Sequence, residues 1–178
     1  MSAPISPAFG IAGWKNSGKT TLAIKLIAEL TRRGYRVASV KHAHHDADVD
    51  HERTDSFRHR QAGSVEVALV TSRRWAIMHE LDGAAEPSLT EMLRRLSPSD
   101  IVIVEGYKRE PIPKIEVRRL QAAQKEPLAA DDPNIIAVVS DHETDGAGRP
   151  TFQLNDIAGI ADFLVARMRV SSRGVRKP

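Results

Sequence analysis

Residues 13–20, with the sequence GWKNSGKT, combine two glycines, a lysine and a threonine at fixed offsets. This spacing fits the pattern Gly-x-x-x-x-Gly-Lys-[Ser/Thr], in which a glycine-rich loop surrounds a phosphate group. Gly13 and Gly18 let the backbone turn tightly and direct consecutive N–H groups at an anion, and the following helix adds its positive end. Lys19 would reach the β- and γ-phosphates of a nucleotide, and the Thr20 hydroxyl would coordinate Mg²⁺.

Two features of this loop have a competing interpretation. A glycine-rich turn that caps a helix and carries a solvated lysine would also fit the letters of the motif, but the position of the motif between a strand and a helix favours the phosphate loop. Lys15 either adds positive charge to the loop or is simply exposed, as charged loop residues usually are.

The elements that must position the loop can be predicted from the flanking sequence. The apolar segment PAFGIAG, residues 7–13, indicates a buried strand. Leu22, Leu26 and Leu30 recur every four residues, and Gly34 follows as a helix C-cap. The segment YRVASVKH then predicts a second strand, so the chain opens as a strand–loop–helix–strand unit.

The rest of the chain continues this α/β pattern. A short helix is expected around residues 54–62, and the β-prone runs 65–70 and 75–81 flank the polar tetrad 71–74 as in a β-hairpin. Ser88 and Glu91 form a capping box that starts another helix. The runs IVIVEG, KIEVRR and NIIAVVSD predict strands, and Asn155 or Asp156 caps a last helix.

These elements predict a three-layer α/β sandwich of the P-loop NTPase class, with a mostly parallel sheet and an inserted antiparallel hairpin. We expect a single nucleotide-binding domain over residues 1–170, with the hairpin insertion at about 65–81. Residues 171–178 form a basic tail that we expect to be disordered.

A phosphate loop also requires a carboxylate near the Mg²⁺ site, at the end of a buried strand. The run IVIVEG supplies Glu105 at that position, where it would hold the ion or its water, although acidic residues also end strands for other reasons. Asp141 follows a late strand, where it would accept hydrogen bonds from the guanine N1 and N2 groups or cap a turn.

A histidine-rich segment follows the second predicted strand. Five of the seven histidines lie within eighteen residues beside four aspartates: His42, His44, His45, His51 and His59, with Asp46, Asp48, Asp50 and Asp55. Imidazole and carboxylate groups suit Zn or Ni, but the spacing matches no compact ligand signature. Contact with the nucleotide or with an anionic second substrate, or a solvated loop, are the other interpretations.

The composition narrows the functional classes. The chain has 178 residues, a net charge of +3 and no cysteine, which excludes a disulfide framework and thiolate metal sites. The charge is not the dense, one-sided excess of a dedicated nucleic-acid binder. No apolar run is long enough to span a bilayer and the first ten residues lack a signal-peptide pattern, so we expect a cytoplasmic protein.

Seven segments together carry a family resemblance over nearly the whole chain, from about residue 9 to 168. These segments are GWKNSGKTTL, VKHAHHDADVD, DSFRHRQAGS, RWAIMHE, IVIVEGYK, IAVVSD and NDIAGIADFL. In this order and spacing the chain resembles the molybdopterin-guanine dinucleotide biosynthesis protein B family. The resemblance implies a GTP-binding, weakly hydrolysing α/β protein that assists the guanylyltransferase attaching GMP to molybdopterin. It also implies a homodimer built partly through β-structure.

The resemblance implies two sets of site residues. The phosphate loop would comprise Gly13, Asn16, Ser17, Gly18, Lys19, Thr20 and Thr21, with Glu105 as the Mg²⁺-side carboxylate. A second loop beside it would comprise Lys41, His42, His45, Asp46, Asp55 and Ser56. The family often has a glycine-containing pair before Asp-Ser, whereas Arg53 and Thr54 stand here, which puts the backbone of that loop in question. No residue is assigned as a catalytic base.

Two other functions use the same loop. A small-molecule kinase would phosphorylate an acceptor and prefer ATP, and a nickel- or zinc-delivery GTPase would use the histidine cluster. Whether molybdopterin itself binds this chain is left open by the sequence.

Overall fold

The structure is a computed structural model that describes residues 5–43, 50–122, 124 and 126–168. The chain divides into two compact units, one formed by Met1–His42 with Leu89–Pro178 and the other by Ala43–Ser88. His44, His45, Asp46 and Asp48 of the histidine-rich segment and the basic tail 171–178 lie outside the described residues.

The first unit is built on six parallel strands. They are β1 (Ala8–Ala12), β2 (Val37–Lys41), β5 (Ile101–Glu105), β6 (Lys114–Arg118), β7 (Ile135–Ser140) and β8 (Thr151–Gln153). Their order across the sheet is β2-β5-β1-β6-β7-β8, and every neighbouring pair is parallel. The predicted α/β architecture with a parallel sheet is therefore confirmed.

Helices cover both faces of this sheet. The helices α1 (Lys19–Arg32) and α4 (Ile157–Met168) pack on one face, where Leu22, Leu26 and Leu30 are fully buried with alternate residues of the strands. The helix α3 (Leu89–Arg95) covers the β2–β5 part of the other face through Leu89 and Leu93. This gives the three predicted layers, because successive strand residues point to opposite faces and helices pack on both faces.

The opposite face of β6 is covered in a different way. Lys114, Glu116 and Arg118 alternate along this strand toward one side, and the first two are only 1% exposed. The Glu116 carboxylate accepts hydrogen bonds from Leu128 N and Ala129 N, both at 2.9 Å, and from Arg118 Nη2 at 2.8 Å. A charged strand face thus holds the segment 126–134, which has no helix or strand, against the sheet.

The second unit contains the predicted hairpin and a short helix. The strands β3 (Glu66–Val70) and β4 (Trp75–His79) pair antiparallel, with Val70 opposite Trp75. The helix α2 (Asp55–Gln61) begins after Thr54, whose side chain accepts a hydrogen bond from Phe57 N. Arg60 pairs with the buried Asp50 and, at 2.9 Å, with Glu80.

Sequence reasoning missed one element, the strand β8. It has only three residues and lies at the edge of the sheet beside β7. The predicted cap of α4 is provided by Asp156, whose Oδ1 accepts a hydrogen bond from Gly159 N at 3.0 Å. In the described part of the chain, every helix is too short or too polar to cross a membrane.

The buried Glu116 carboxylate yields the first prediction. Glu116→Gln keeps the side-chain volume but removes the charge that Arg118 needs, and it turns an amide donor toward backbone N–H groups. We expect the free energy of unfolding to fall by about 3 kcal/mol, as when one partner of a buried ion pair is removed. Urea denaturation followed by circular dichroism measures this change.

Glu126 provides the matched control, because its side chain is exposed. Glu126→Gln should change the free energy of unfolding by less than about 0.5 kcal/mol. Equal losses in the two variants would contradict a special role for the Glu116 network.

Candidate nucleotide-binding site

The glycine-rich loop connects β1 to α1 and has the strained backbone that its glycines predict. Gly13 has φ 147°, and a β-carbon there would come within 2.6 Å of Ser17 Oγ and of the Val117 carbonyl oxygen. Gly18, at φ 93°, is the N-cap of α1, so the helix begins at Lys19. The free N–H groups of the first helical turn therefore point into the loop, as phosphate binding requires.

Lys19 folds back over this loop. Its ammonium group donates a 2.7 Å hydrogen bond to the Trp14 carbonyl oxygen. Burial lowers the pKa of Lys19; Glu105 opposes this shift, whereas Lys108 and Lys41 reinforce it. The surroundings of Lys19 thus disfavour its charged form, and the negative charge of a bound polyphosphate would stabilise that form.

Glu105 lies beside the loop, as predicted. The parallel register of β1 with β5 places Ile11 opposite Glu105, and the Thr20 hydroxyl donates a 2.6 Å hydrogen bond to Glu105 Oε1. Lys41, at the end of β2, lies 3.8 Å from the same oxygen. One carboxylate thus links the helix start, the end of β5 and the end of β2.

The residues present fit a magnesium ion. A hydroxyl oxygen and a carboxylate oxygen within hydrogen-bond distance are the ligand types that Mg²⁺ takes in phosphate-loop proteins. Ser17 Oγ is buried and makes no hydrogen bond in the described part of the chain, as expected of a loop whose polar groups are completed by a ligand. Thr20 and Glu105 would hold the ion, which would neutralise charge on the phosphates.

Trp14, which occupies one of the variable positions of the motif, joins the loop to its surroundings. Its indole Nε1 donates a 2.8 Å hydrogen bond to the Glu126 carbonyl oxygen, and Lys108 Nζ lies 3.6 Å from the centre of its ring. Sequence reasoning did not single out Trp14 or Lys108. Only the position of Trp14 inside the motif could have pointed to it. Lys108 is distant in sequence and comes next to Trp14 only in the folded chain.

Asp141 follows β7 and is held by its neighbours. Its Oδ1 lies 2.9 Å from His142 Nδ1 and accepts a hydrogen bond from Leu120 N, also at 2.9 Å. The contact with His142, followed by that with Leu120, lowers the pKa of Asp141. Arg119 Nε lies 3.5 Å from the other oxygen, Oδ2. The Arg119 side chain also lies against Gly18, with Cδ 3.2 Å from where a β-carbon would be. Asp141 thus stabilises a turn, and Arg119 links that turn to the phosphate loop.

The remaining predicted loop residues differ in exposure. Lys15, Asn16 and Thr21 are exposed, whereas Ser17 is buried. The left-handed φ of Asn16, 62°, continues the turn begun at Gly13. Their roles in nucleotide binding stay predictions.

The predicted second loop is divided between the two units. In the first unit, the His42 ring lies 4.8 Å from the ring of Tyr107, and His42 N donates to the Glu105 carbonyl oxygen at 2.8 Å. In the second unit, Asp55 is exposed and Ser56 is buried, with its hydroxyl 3.1 Å from Thr54 Oγ1. The assignment of this loop to the site stays a prediction.

The replacement of a glycine-containing pair by Arg53 and Thr54 does not distort the start of α2. Thr54 has φ −90° and ψ 152°, an extended conformation that needs no glycine, and it acts as the N-cap. Its hydroxyl also donates to the His51 carbonyl oxygen at 2.9 Å. Within the residues that the structure describes, no group of three or more His, Cys, Asp or Glu side chains is placed to hold a metal ion.

A glycine-rich loop between a central parallel strand and its helix, with a carboxylate from the adjacent strand, defines the phosphate-loop class of α/β proteins. The family model for molybdopterin guanine dinucleotide synthesis protein B matches residues 8–141. The chain belongs to this family.

Individual relatives agree with this assignment. The chain is 40% identical to the molybdopterin-guanine dinucleotide biosynthesis adapter protein of Haemophilus influenzae, over 89% of this chain and 87% of the relative. It is 38% identical to the Escherichia coli protein of the same name, over 92% and 94%. The crystal structure of a MobB homologue from Bacillus stearothermophilus superimposes with a TM-score of 0.67 at 28% identity, covering 92% of this chain and 99% of that one.

Gly106 yields a prediction about the site. It follows Glu105 with φ 103°, and a β-carbon there would come within 2.4 Å of the His42 carbonyl oxygen. Gly106→Ala should therefore push β2 away from β5 at the end that carries Lys41 and Glu105. We expect a loss of about 2–3 kcal/mol in the free energy of unfolding, from strain and from the clash together. Chemical denaturation measures it.

Gly148→Ala separates the two causes. Gly148 has φ 77°, but apart from its chain neighbours no heavy atom of the described residues lies within 4 Å of an added β-carbon, so this variant carries the backbone strain alone. We expect it to lose about 1 kcal/mol. If Gly106→Ala lowered the free energy of unfolding no more than Gly148→Ala does, the close approach of Gly106 to His42 would not contribute to stability.

Proposed function

We propose that this protein is a GTP-binding adapter with weak GTPase activity in molybdenum cofactor biosynthesis, where it assists the attachment of GMP to molybdopterin. The observation that carries the proposal is the 2.6 Å contact between Thr20 and Glu105 beside the glycine-rich loop, because a hydroxyl and a carboxylate so placed are groups that could hold a nucleotide-bound Mg²⁺. The relatives from Haemophilus influenzae and Escherichia coli, named as adapter proteins of this biosynthesis, support it.

In this proposal the chain binds and orients the nucleotide and hydrolyses it only weakly. The N–H groups of the loop and of the first turn of α1 bind the phosphates, and Lys19 leaves the Trp14 carbonyl oxygen to pair with them. Thr20 and Glu105 hold Mg²⁺, directly or through water. Weak hydrolysis needs no dedicated general base, so the output of nucleotide binding is an interaction with the guanylyltransferase.

Recognition of the guanine base is assigned to Asp141 and Arg119. Asp141 uses Oδ1 for the turn, whereas Oδ2 faces Arg119 at the long distance of 3.5 Å and remains able to accept from guanine N1 and N2 donors. The Arg119 guanidinium would then stack on the base, as planar guanidinium groups do on heterocycles. The contact of Arg119 with Gly18 supports this arrangement, because it keeps the base subsite next to the phosphates.

We further propose that the protein is a cytoplasmic homodimer and that the hairpin contributes to its interface. Val70, Trp75 and Ile77 share one face of the hairpin, as their cross-strand pairing shows, and each is more than half exposed. An exposed apolar patch on a two-stranded sheet is a frequent mark of a protein contact. Molybdopterin, as the phosphorylated acceptor of the GMP group, is a further ligand in this scheme.

The first test of the proposal is nucleotide binding. Fluorescent GTP, titrated in the presence of Mg²⁺ and competed separately with GTP and ATP, should bind the wild type and be displaced better by GTP. Lys19→Ala should weaken binding by at least about 100-fold, because a charge-assisted contact to two phosphates is lost. Lys25→Ala is the matched control, since Lys25 is an exposed lysine of α1 outside the loop, and it should change affinity by less than about threefold.

The competition also separates this proposal from a kinase. Equal or better displacement by ATP, together with a phosphorylated acceptor after incubation with ATP, would replace the adapter assignment. Retained GTP affinity in Lys19→Ala would contradict the phosphate-loop assignment itself.

The dimer proposal is tested by changing the hairpin. Trp75→Asp places a charge in the exposed apolar patch, so the dimer should dissociate at least about 100-fold more readily, because a buried unpaired charge is costly. Sedimentation velocity over a range of concentrations measures the dissociation constant. Leu120→Asp is a control, because it also places a charge at an exposed apolar residue, outside the hairpin. A monomeric wild type would refute the proposal.

A further inference from the structure

A second pocket lies on the face of the sheet opposite α1, next to the phosphate loop. It has a volume of about 320 Å³, close to the lower end of the range for small-molecule sites. Its lining comes from the end of β1, the loop after β5 and the segment before β7: Ala12, Lys108, Arg109, Leu128, Asp131, Asp132 and Ile135. Ala12 immediately precedes Gly13, so the floor of this pocket continues into the phosphate loop.

The charges of the lining come from two segments of the chain. Lys108 and Arg109, on the loop after β5, are exposed cations. The segment before β7 contributes Asp131 and Asp132, and Lys114 neutralises Asp132 through a 2.6 Å ion pair. Asp131 makes no side-chain hydrogen bond within the described residues, so one carboxylate and two cations are left for a ligand. The other lining residues, Ala12, Leu128 and Ile135, are apolar.

Contacts hold both charged segments of the lining in place, and we call these segments the acidic wall and the basic wall of the pocket. The acidic wall is a turn in which Asp131 N and Asp132 N donate to the Leu128 carbonyl oxygen, at 3.1 and 3.0 Å, and Leu128 N itself is held by the buried Glu116. On the basic wall, the Lys108 ammonium rests 3.6 Å from the centre of the Trp14 ring. Such a contact restrains the lysine while leaving its N–H groups able to donate.

We propose that this pocket binds a heterocyclic phosphate monoester beside the nucleotide. Lys108 and Arg109 pair with the phosphate, the apolar floor receives the flat ring, and Asp131 accepts from adjacent amino and ring N–H donors. A 2-amino-oxo edge presents those two donors side by side, which is the pattern that a carboxylate binds with both oxygens. Guanine and pterin rings share this edge, and adenine lacks it.

The choice of a pterin as the first probe rests on the proposed function, whereas the pocket itself does not. Since Lys108 touches Trp14 of the phosphate loop, a ligand here would lie next to the nucleotide phosphates. The chain would thus present a phosphorylated acceptor and a nucleotide on two neighbouring sites.

The test uses the full-length protein and the intrinsic fluorescence of 6-hydroxymethylpterin monophosphate, whose anisotropy rises on binding. Competition with GMP, AMP and inorganic phosphate identifies what is recognised. We expect the pterin phosphate to bind, AMP to compete at least about tenfold less well, and Arg109→Ala and Asp131→Asn each to weaken binding by about tenfold or more. Arg95→Ala and Glu143→Gln, at exposed positions outside the lining, are the charge-matched controls and should bind as the wild type does.

Each outcome decides between the alternatives. If GMP displaces the probe as strongly as the pterin phosphate does, recognition of the shared 2-amino-oxo edge is supported, and a guanine nucleotide is the natural ligand. Equal competition by AMP, or binding unaffected by Asp131→Asn, overturns ring recognition, and no binding of any probe overturns the site. Fluorescent GTP is titrated on the wild type and on the same variants. Absence of GTP binding by the wild type would contradict the proposed function, whereas GTP binding without pterin phosphate binding would contradict only this pocket.

Discussion

The parallel pairing of β1 with both β5 and β6 is the constraint on which the site depends. It places Ile11 opposite Glu105 on one side and Ala12 opposite Glu116 on the other. Because parallel strands all end at the same edge, the loop that leaves β1 is flanked by one acidic residue at the end of β5 and by the charged strand β6. Shifting either register by one residue would turn these side chains to the other face of the sheet.

The strand β6 contributes to the apolar core with one face and holds a segment beside the site with the other. Ile115 and Val117 point into the apolar layer beneath α1, whereas Lys114, Glu116 and Arg118 form the charged side. Buried charges are costly unless their hydrogen bonds are satisfied, and here they are paired with Asp132, with two backbone N–H groups and with each other. In return, residues 126–134, which include Asp131, are held in position without forming a helix or a strand.

Much of this could be predicted from the sequence because the signals are local. The strands with continuous β-branched residues, the leucine spacing of α1 and the tetrad between β3 and β4 each lie within a few neighbouring residues. The position of Glu105 beside the loop could be predicted because Glu105 ends a run of β-branched residues, and parallel strands end at the same edge of a sheet. The strand β8 was missed because its three residues have no periodicity of their own and pair only through β7. The contacts of Trp14 with Lys108 and Glu126 join residues about a hundred positions apart, so no local sequence pattern predicts them.

The position of Trp14 has a spectroscopic consequence. The chain has two tryptophans, and they lie in different units, Trp14 in the phosphate loop and Trp75 on the hairpin. The indole of Trp14 lies under a lysine ammonium and donates to a backbone carbonyl, whereas that of Trp75 is largely exposed. The natural emission of this protein is therefore a sum of two separable signals, one from each unit, and replacing either indole by phenylalanine would leave an unlabelled optical reporter of the other.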